Sequence, residues 1–582
     1  MAYRSLISLL LLLVLSEFTS GIRLERRDDS PTDVCARWSH QTAVVNGKIF
    51  IYGGQAKQQA GQKANTWNNN FLTLDLTGDW DVGSPKLKGL PIPSGPPPVA
   101  NGYLWHNYDK LFLYGGLFSD APVTLPPAFE LWQYDIKGGK WSTSDYSVSD
   151  DSGSKEIQRA AEGAGVSVPG RSLGFYFSGH LDGYTTEGWS QSIARVYLKS
   201  LLEFDMDKKQ FRNITKNGLE KFSVPERADG ILVFVPWGNE GILLAIGGGN
   251  NETFSQMNII DVYDVATKQW TKQSTDGPTP QYRVNPCAVV ASAPDGSSHN
   301  IYFFGGQNLV PYLSQKQYDD MYILTIPAFK WILVDQSNQP VPPARAGHTC
   351  DLVGSQLIVI GGYTGPDLSC DAPGFYVFDA SSLKWKTTYS SSMGGFPLDN
   401  GKNKNTYRVP QAVVDVVGGN PGGGAEVTKP LRVADPNSPI ITADSNDYKY
   451  TTYVLGPTIA VSTAPDGTVT TSTIIPSADG PGPNIGAIVG GVVGGIFFIV
   501  GLVFAGAWVL YKRKIKELRA AAARVGTPAY STKERGSMGT ELPGGFTRES
   551  NGSSTDLNEL HGEPTFWGVL LSPRRSLRVV NS

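Results

Sequence analysis

One pattern limits the fold of this chain more than any other: an apolar run that stops at two glycines. It reads IFIYGG at 49–54, LFLYGG at 111–116, LLAIGG at 243–248, IYFFGG at 301–306 and LIVIGG at 357–362. The paired glycines are Gly53 and Gly54, Gly115 and Gly116, Gly247 and Gly248, Gly305 and Gly306, and Gly361 and Gly362. A degenerate copy, GFYFSGH at 174–180, fills the gap between the second and third, with Ser178 in place of the first glycine. From first glycine position to first glycine position the steps are 62, 63, 69, 58 and 56 residues.

Each copy is followed by a second apolar run, such as WQYDI or DVYDV, and then by an aromatic: Trp80, Trp141, Phe211, Trp270, Trp331 and Trp385. Apolar alternation ahead of the glycines describes a buried strand. The glycines belong where φ turns positive or another backbone comes close. The aromatic is large enough to cover the face shared by neighbouring sheets. One small sheet cannot bury both of its faces, so repeated sheets must stack on one another. The expected fold is all-β, a radial propeller over 35–390 with six blades, seven being the alternative.

The order of di-glycine, Tyr-Asp-like strand and spaced Trp resembles the Kelch repeat, and the resemblance spans about 35–388. It implies a Kelch-type β-propeller of four-stranded blades. Similar Kelch membrane proteins with Ser/Thr-rich stalks occur in filamentous fungi and are described as cell-wall-associated. That implies a role in surface adhesion, polarity or wall sensing.

Two hydrophobic segments outside the repeats set the expected topology. Arg4 followed by the apolar run 6–15 reads as an export signal, with cleavage after Gly21, and an uncleaved anchor as the alternative. The segment 485–511 is 27 residues without a charge, long enough to span a bilayer as a helix. Lys512, Arg513, Lys514 and Lys516 follow it, which places the tail 512–582 in the cytosol and the N-terminal part outside. The tail composition reads as disordered. Gly486, Gly490 and Gly494 fall every four residues, a spacing that allows helix–helix dimerisation.

Between the repeats and the span, Pro410, Val413, Val414, Val417 and Gly418 spell a short capped helix within a capping segment at 407–420. A closing strand is the alternative. From 421 to 484, Gly, Pro, Ser and Thr dominate and no apolar period survives, so a flexible stalk is expected, with or without O-linked sugars. Asn213 and Asn251 head Asn-x-Thr acceptor sites for N-glycosylation outside the membrane, while Asn551 falls in the cytosolic tail.

The formal net charge of -3 offers nothing to nucleic acid. Four cysteines are too few for a disulfide-built scaffold. Their repeat positions suggest a Cys350–Cys370 bridge, leaving Cys35 and Cys287 unassigned. The rival to a binding role is a copper oxidase of the galactose-oxidase type, built on a similar propeller. Its ligands would have to come from His40, His106, His180, His299 and His348, no two of which stand together in sequence. His40 and His348 share one repeat position, which favours a structural role. No Ser/His/Asp elbow, phosphate loop or zinc spacing is present. The expectation is a non-enzymatic platform with no cofactor, binding an extracellular protein or glycan.

Overall fold

The computed structural model describes residues 28–448 apart from 150–155, 215–218, 220–222, 309–314, 367 and 397–403, and the backbone of one hairpin, Thr458–Thr463 with Val469–Ile474. The expected export signal, membrane span and tail lie outside these residues. Among the described residues no helix is long and apolar enough to cross a membrane.

The described residues form six antiparallel sheets of four consecutive strands, the third gaining a fifth strand, Ser147–Val148, parallel to its outer edge. Their first strands are Gln41–Val45, Ala100–His106, Ala164–Val168, Ile231–Val235, Cys287–Ser292 and Thr349–Val353. These strands lie side by side around an axis, and Gln41–Val45 packs against both Ala100–His106 and Thr349–Val353, so the circuit closes. The chain is an all-β propeller. Its apolar core is divided into six clusters, each built from two neighbouring sheets. Burial therefore happens between sheets, which is why one repeat cannot fold alone.

Two rings of backbone hydrogen bonds explain the repeat. At the start of each first strand, two residues ahead of it or, for Asn101, at its second position, sits a residue with φ between 50° and 64°: Ser39, Asn101, Glu162, Asp229, Asn285 and Gly347. The N–H of each donates to the carbonyl of the one before: Asn101 to Ser39 at 2.9 Å, Glu162 to Asn101 at 3.0 Å, Asp229 to Glu162 at 2.6 Å, Asn285 to Asp229 at 2.8 Å and Gly347 to Asn285 at 3.0 Å. Ser39 donates to Gly347 at 2.7 Å, which closes the ring. The left-handed backbone turns these groups along the ring rather than into a strand ladder.

The second ring uses the terminal glycine of each run. Gly54, Gly116, Gly179, Gly248, Gly306 and Gly362 donate to Val99, Ala160, Arg227, Arg283, Arg345 and Arg37 of the next sheet, at 2.8–3.2 Å. The glycine ahead of it is held equally tightly. A Cβ on Gly115 would run into the Ala160 carbonyl, and one on Gly361 into that of Arg37. Ser178 takes the same left-handed conformation, φ 56°, at the degenerate copy, so the third sheet keeps the turn without the glycine.

Five of the repeat aromatics lie on fourth strands against the third strand of their own sheet. Trp141 faces Tyr134, Trp270 faces Tyr263, Trp331 pairs Leu324, Trp385 faces Phe378, and Phe211 stacks on Phe204 with ring centroids 4.3 Å apart. Trp80 departs from this pattern. The fourth strand of the first sheet is Leu87–Gly89, and Trp80 instead pairs with Tyr389, stacked at 5.0 Å. It joins the first sheet to the chain leaving the last one, so it closes the ring rather than repeating a motif.

The Cys350–Cys370 expectation is wrong. Cys350 bonds Cys287, and Cys370 bonds Cys35. Cys287 and Cys350 lie on first strands of adjacent sheets, which meet at the axis. The loop bearing Cys370 turns away from its own sheet toward the N-terminal segment, where the Asp371 N–H reaches the Cys35 carbonyl at 2.7 Å.

The expected stalk also starts too early. After the last sheet the chain crosses the ends of sheets one, six, five and four in turn. Phe396 sits by the Gly47 turn, and Ser355 donates to the Met393 carbonyl. The helix Gln411–Val417 buries Val413 and Val417 between sheets five and six, and the Tyr407 and Tyr302 hydroxyls meet at 3.0 Å. Residues 421–447 remain attached. Gly424 donates to Asp295, Trp237 Nε1 donates to the Pro439 carbonyl at 3.0 Å, and Ile440 is 1% exposed. A few well-placed anchors hold this run without any periodicity, which is why composition misread it.

Candidate functional site

Strand order gives the propeller two unlike faces. On one, first strands turn into second and third into fourth, through turns as short as 46–47 and 354–355. The C-terminal run lies over this face at sheets one, six, five and four. On the other lie the connections between sheets and the loops between second and third strands: 53–70, 118–130, 178–200, 247–258, 305–320 and 361–374. The longest of these loops, 178–200, belongs to the degenerate copy.

Ten large hydrophobic side chains are exposed among the described residues, and seven of them belong to this loop face. Val123 and Leu125 come from the second loop, Ile193 and Val196 from the third, and Tyr363 and Leu368 from the sixth; Tyr282 lies on the connection into the fifth sheet. Leu125 is 70% exposed and Tyr282 54%. Single exposed apolar residues are ordinary, but here they are concentrated on one face.

At the centre of the same face the left-handed ring forms the mouth of the axial channel, a cavity of about 430 Å³ lined by first strands. Ser39, Asn101, Glu162, Asp229 and Asn285 give it polar side chains. Beside it the degenerate repeat supplies a buried ion cluster. His180, fully buried, places Nδ1 3.1 Å from Glu162 and Nε2 3.1 Å from Asp182. Arg195 reaches Glu162 at 2.7 Å and Asp182 at 3.5 Å. Burial alone would lower the His180 pKa, but hydrogen bonds to Asp182 and Glu162 raise it above the ordinary imidazole value. Burial opposes ionisation of Glu162 as well, yet His180 and Arg195 bring it below the usual range. Asp229 is pushed well above that range by burial and by Glu162. The cluster is charge-balanced and pins the loop 178–200 to the mouth.

The other histidines are structural. His40 Nε2 meets the Thr349 hydroxyl at 3.0 Å, and His299 Nδ1 meets Ser292 at 2.8 Å. Burial lowers both, His40 to about 3 and His299 to about 4. Among the described residues one trio of metal-type donors comes together, Cys287, Cys350 and His348, with ligand atoms within 4.8 Å. Both sulfurs are spent in a disulfide, so they are not available as thiolates.

Sequence reading missed the arginines. Arg227-Ala-Asp229, Arg283-Val-Asn285 and Arg345-Ala-Gly347 recur ahead of first strands, and the guanidinium of each bonds a di-glycine carbonyl of its own sheet: Gly247, Gly305 and Gly361. Each also pairs with an acid, Asp261, Asp320 and Asp371. The recurring Arg two residues before the left-handed position was the signal. Asn213, ending the strand Gln210–Asn213, and Asn251, in the loop 247–258, are both exposed.

Comparison with known proteins agrees with this architecture. The family model described as KLHDC2/KLHL20/DRC7 Kelch-repeats domain matches residues 231–420. A Kelch repeat-containing protein of Arthroderma benhamiae is 44% identical over 96% of this chain and 94% of its own length. Acyl-CoA-binding domain-containing protein 5 of Arabidopsis thaliana is 23% identical over 57% of this chain and 43% of that protein. A full-length likeness of that strength, on a propeller whose di-glycines carry its backbone ring, places this chain in the family of Kelch repeat proteins.

Proposed function

We propose that the chain is an exported, membrane-tethered recognition module, a six-bladed propeller that binds a protein partner through its loop face. The observation that carries the reading is the segregation of surfaces: the exposed apolar side chains gather on the loop face, while the chain's own C-terminal run occupies the other. Rigid sheets presenting variable loops are a usual arrangement for binding. The apolar segment 485–511 with its basic flank supports the tether, and the apolar run at 6–15 supports export. The likeness to Kelch proteins supports binding over catalysis.

The test uses the full chain in cells. Protease added to intact cells is expected to remove the propeller and spare an epitope on the tail; a protected propeller would overturn the topology. Partners captured by cross-linking are expected to disappear with Leu125→Asp and Leu368→Asp together and to persist with Leu431→Asp, which lies exposed in the C-terminal run on the other face. Partners indifferent to the loop-face pair would overturn the choice of face.

A further inference from the structure

The loop face carries a second feature, a groove of about 590 Å³ between the fourth and fifth sheets, within the size range of ligand pockets. Its walls combine rings and amides: Phe254, Gln256, Asn258, Gln281, Tyr282 and Tyr318. Phe254 and Tyr282, from neighbouring loops, stack on each other with ring centroids 6.2 Å apart and 11° between planes. Gln256 and Asn258 are exposed. Among the described residues, none that lines the groove is an acid, a lysine or an arginine. Arg283, next in sequence, is turned away and buried against Asp320 and the Tyr318 ring.

Such a lining selects a ligand. Without fixed charge it offers nothing particular to phosphate, carboxylate or ammonium groups. Flat rings beside amide donors and acceptors suit a molecule with apolar C–H faces and many neutral hydroxyls or acetamides, which describes a neutral sugar. A source of such sugar stands on the same loop. Asn251, exposed and followed by Glu252 and Thr253, forms an acceptor site three residues before Phe254. The turn that presents it is fixed by the Asn250 side chain, whose oxygen accepts from the Glu252 and Thr253 N–H groups at 2.9 and 2.8 Å.

We propose that the groove holds the chain's own N-glycan: the inner sugars attached at Asn251 lie against Phe254 and Tyr282, with the amides of Gln256 and Asn258 bonding their polar groups. The inference rests on the export reading, since only an exported propeller meets the glycosylating enzymes. The occupied groove then presents sugar, not protein, at this part of the loop face.

The experiment expresses the full-length chain in a eukaryotic secretory host, maps the glycans at Asn213 and Asn251 by mass spectrometry, and follows their removal from the native protein by an endoglycosidase. Release at Asn251 is expected to be slow and to speed up by a few-fold to about tenfold in Tyr282→Ala, the range a ring stacking contact supports. Release at Asn213 is expected to be unchanged by that substitution. Phe254→Ala removes the ring stacked on Tyr282 and gives a second variant. A glycan at Asn251 that is released at the same rate in native, Tyr282→Ala and Phe254→Ala chains overturns the groove inference and leaves export standing, as does glycosylation at Asn213 alone. Bare asparagine at both positions overturns the export reading itself.

Discussion

The two faces of the propeller are made by one repeat and differ in almost every property. The turn face has short connections and is covered at four sheets by the described residues after 388, whose anchors Tyr389, Tyr407, Val413 and Ile440 are buried. The loop face has long connections, a polar mouth and most of the exposed apolar side chains. The sheets between them obey common geometry, since both hydrogen-bonded rings lie at the loop-face ends of the strands. The contrast teaches that the repeat constrains where loops begin, not what they carry. Regular backbone at the strand ends is what permits irregular chemistry beyond them.

The comparison is broken most strongly by opening the ring. Replacing Cys35 and Cys370 with Ser removes a link across 335 residues, and is expected to cost about 4 kcal/mol in chemical unfolding. Gly115→Ala acts at the loop-face end of the second sheet, where the new Cβ meets the Ala160 carbonyl at positive φ. A loss of about 3 kcal/mol is expected. Ser178→Gly, at the equivalent place, should be neutral or slightly stabilising, because the serine already holds the strained conformation. On the turn face, Ile440→Ala is expected to cost about 2 kcal/mol and to raise hydrogen exchange in 438–444; an unchanged exchange pattern would show that this run is not docked.

A smaller effect comes from the ion cluster at the mouth. The raised His180 pKa means its contribution to stability is complete below the ordinary imidazole value of about 6.5 and is lost as pH rises through the folded-state value. Glu162 and Asp182 are lowered, so their contribution is present above the usual carboxylate range and is lost on acidification. Melting temperature measured against pH should therefore peak between these limits, and His180→Gln should flatten its alkaline side. Equal alkaline slopes in the two proteins would rule out the cluster as their source. The smallest change belongs to Leu125→Asp with Leu368→Asp, within about 0.5 kcal/mol of the parent in stability because both side chains already face water. That pair separates stability from binding.

Legibility in the sequence followed the range of the interactions. The strands, the left-handed glycines and five fourth-strand aromatics depend on neighbours within one repeat, and each leaves a periodic trace. The helix Gln411–Val417 was legible for the same reason, from Pro410, spaced valines and Gly418. Trp80 kept the trace but lost the role, because Tyr389, far along the chain, offered a stacking partner that Leu74 could not. The His180 cluster was hidden because it replaces a repeat feature rather than repeating one. The anchors at 421–447 were hidden because isolated contacts have no period.

From its own residues the sequence determined an all-β repeat, the places where the backbone must turn left-handed, and two apolar segments outside the propeller. Tertiary structure alone decided which cysteines meet, how the last sheet joins the first, and which face stays free of the chain's own C-terminal run. The physical reason is distance along the chain. Local sterics and alternation act between near neighbours and are written in order, whereas ring closure and surface cover join residues hundreds of positions apart, which only the folded geometry brings together.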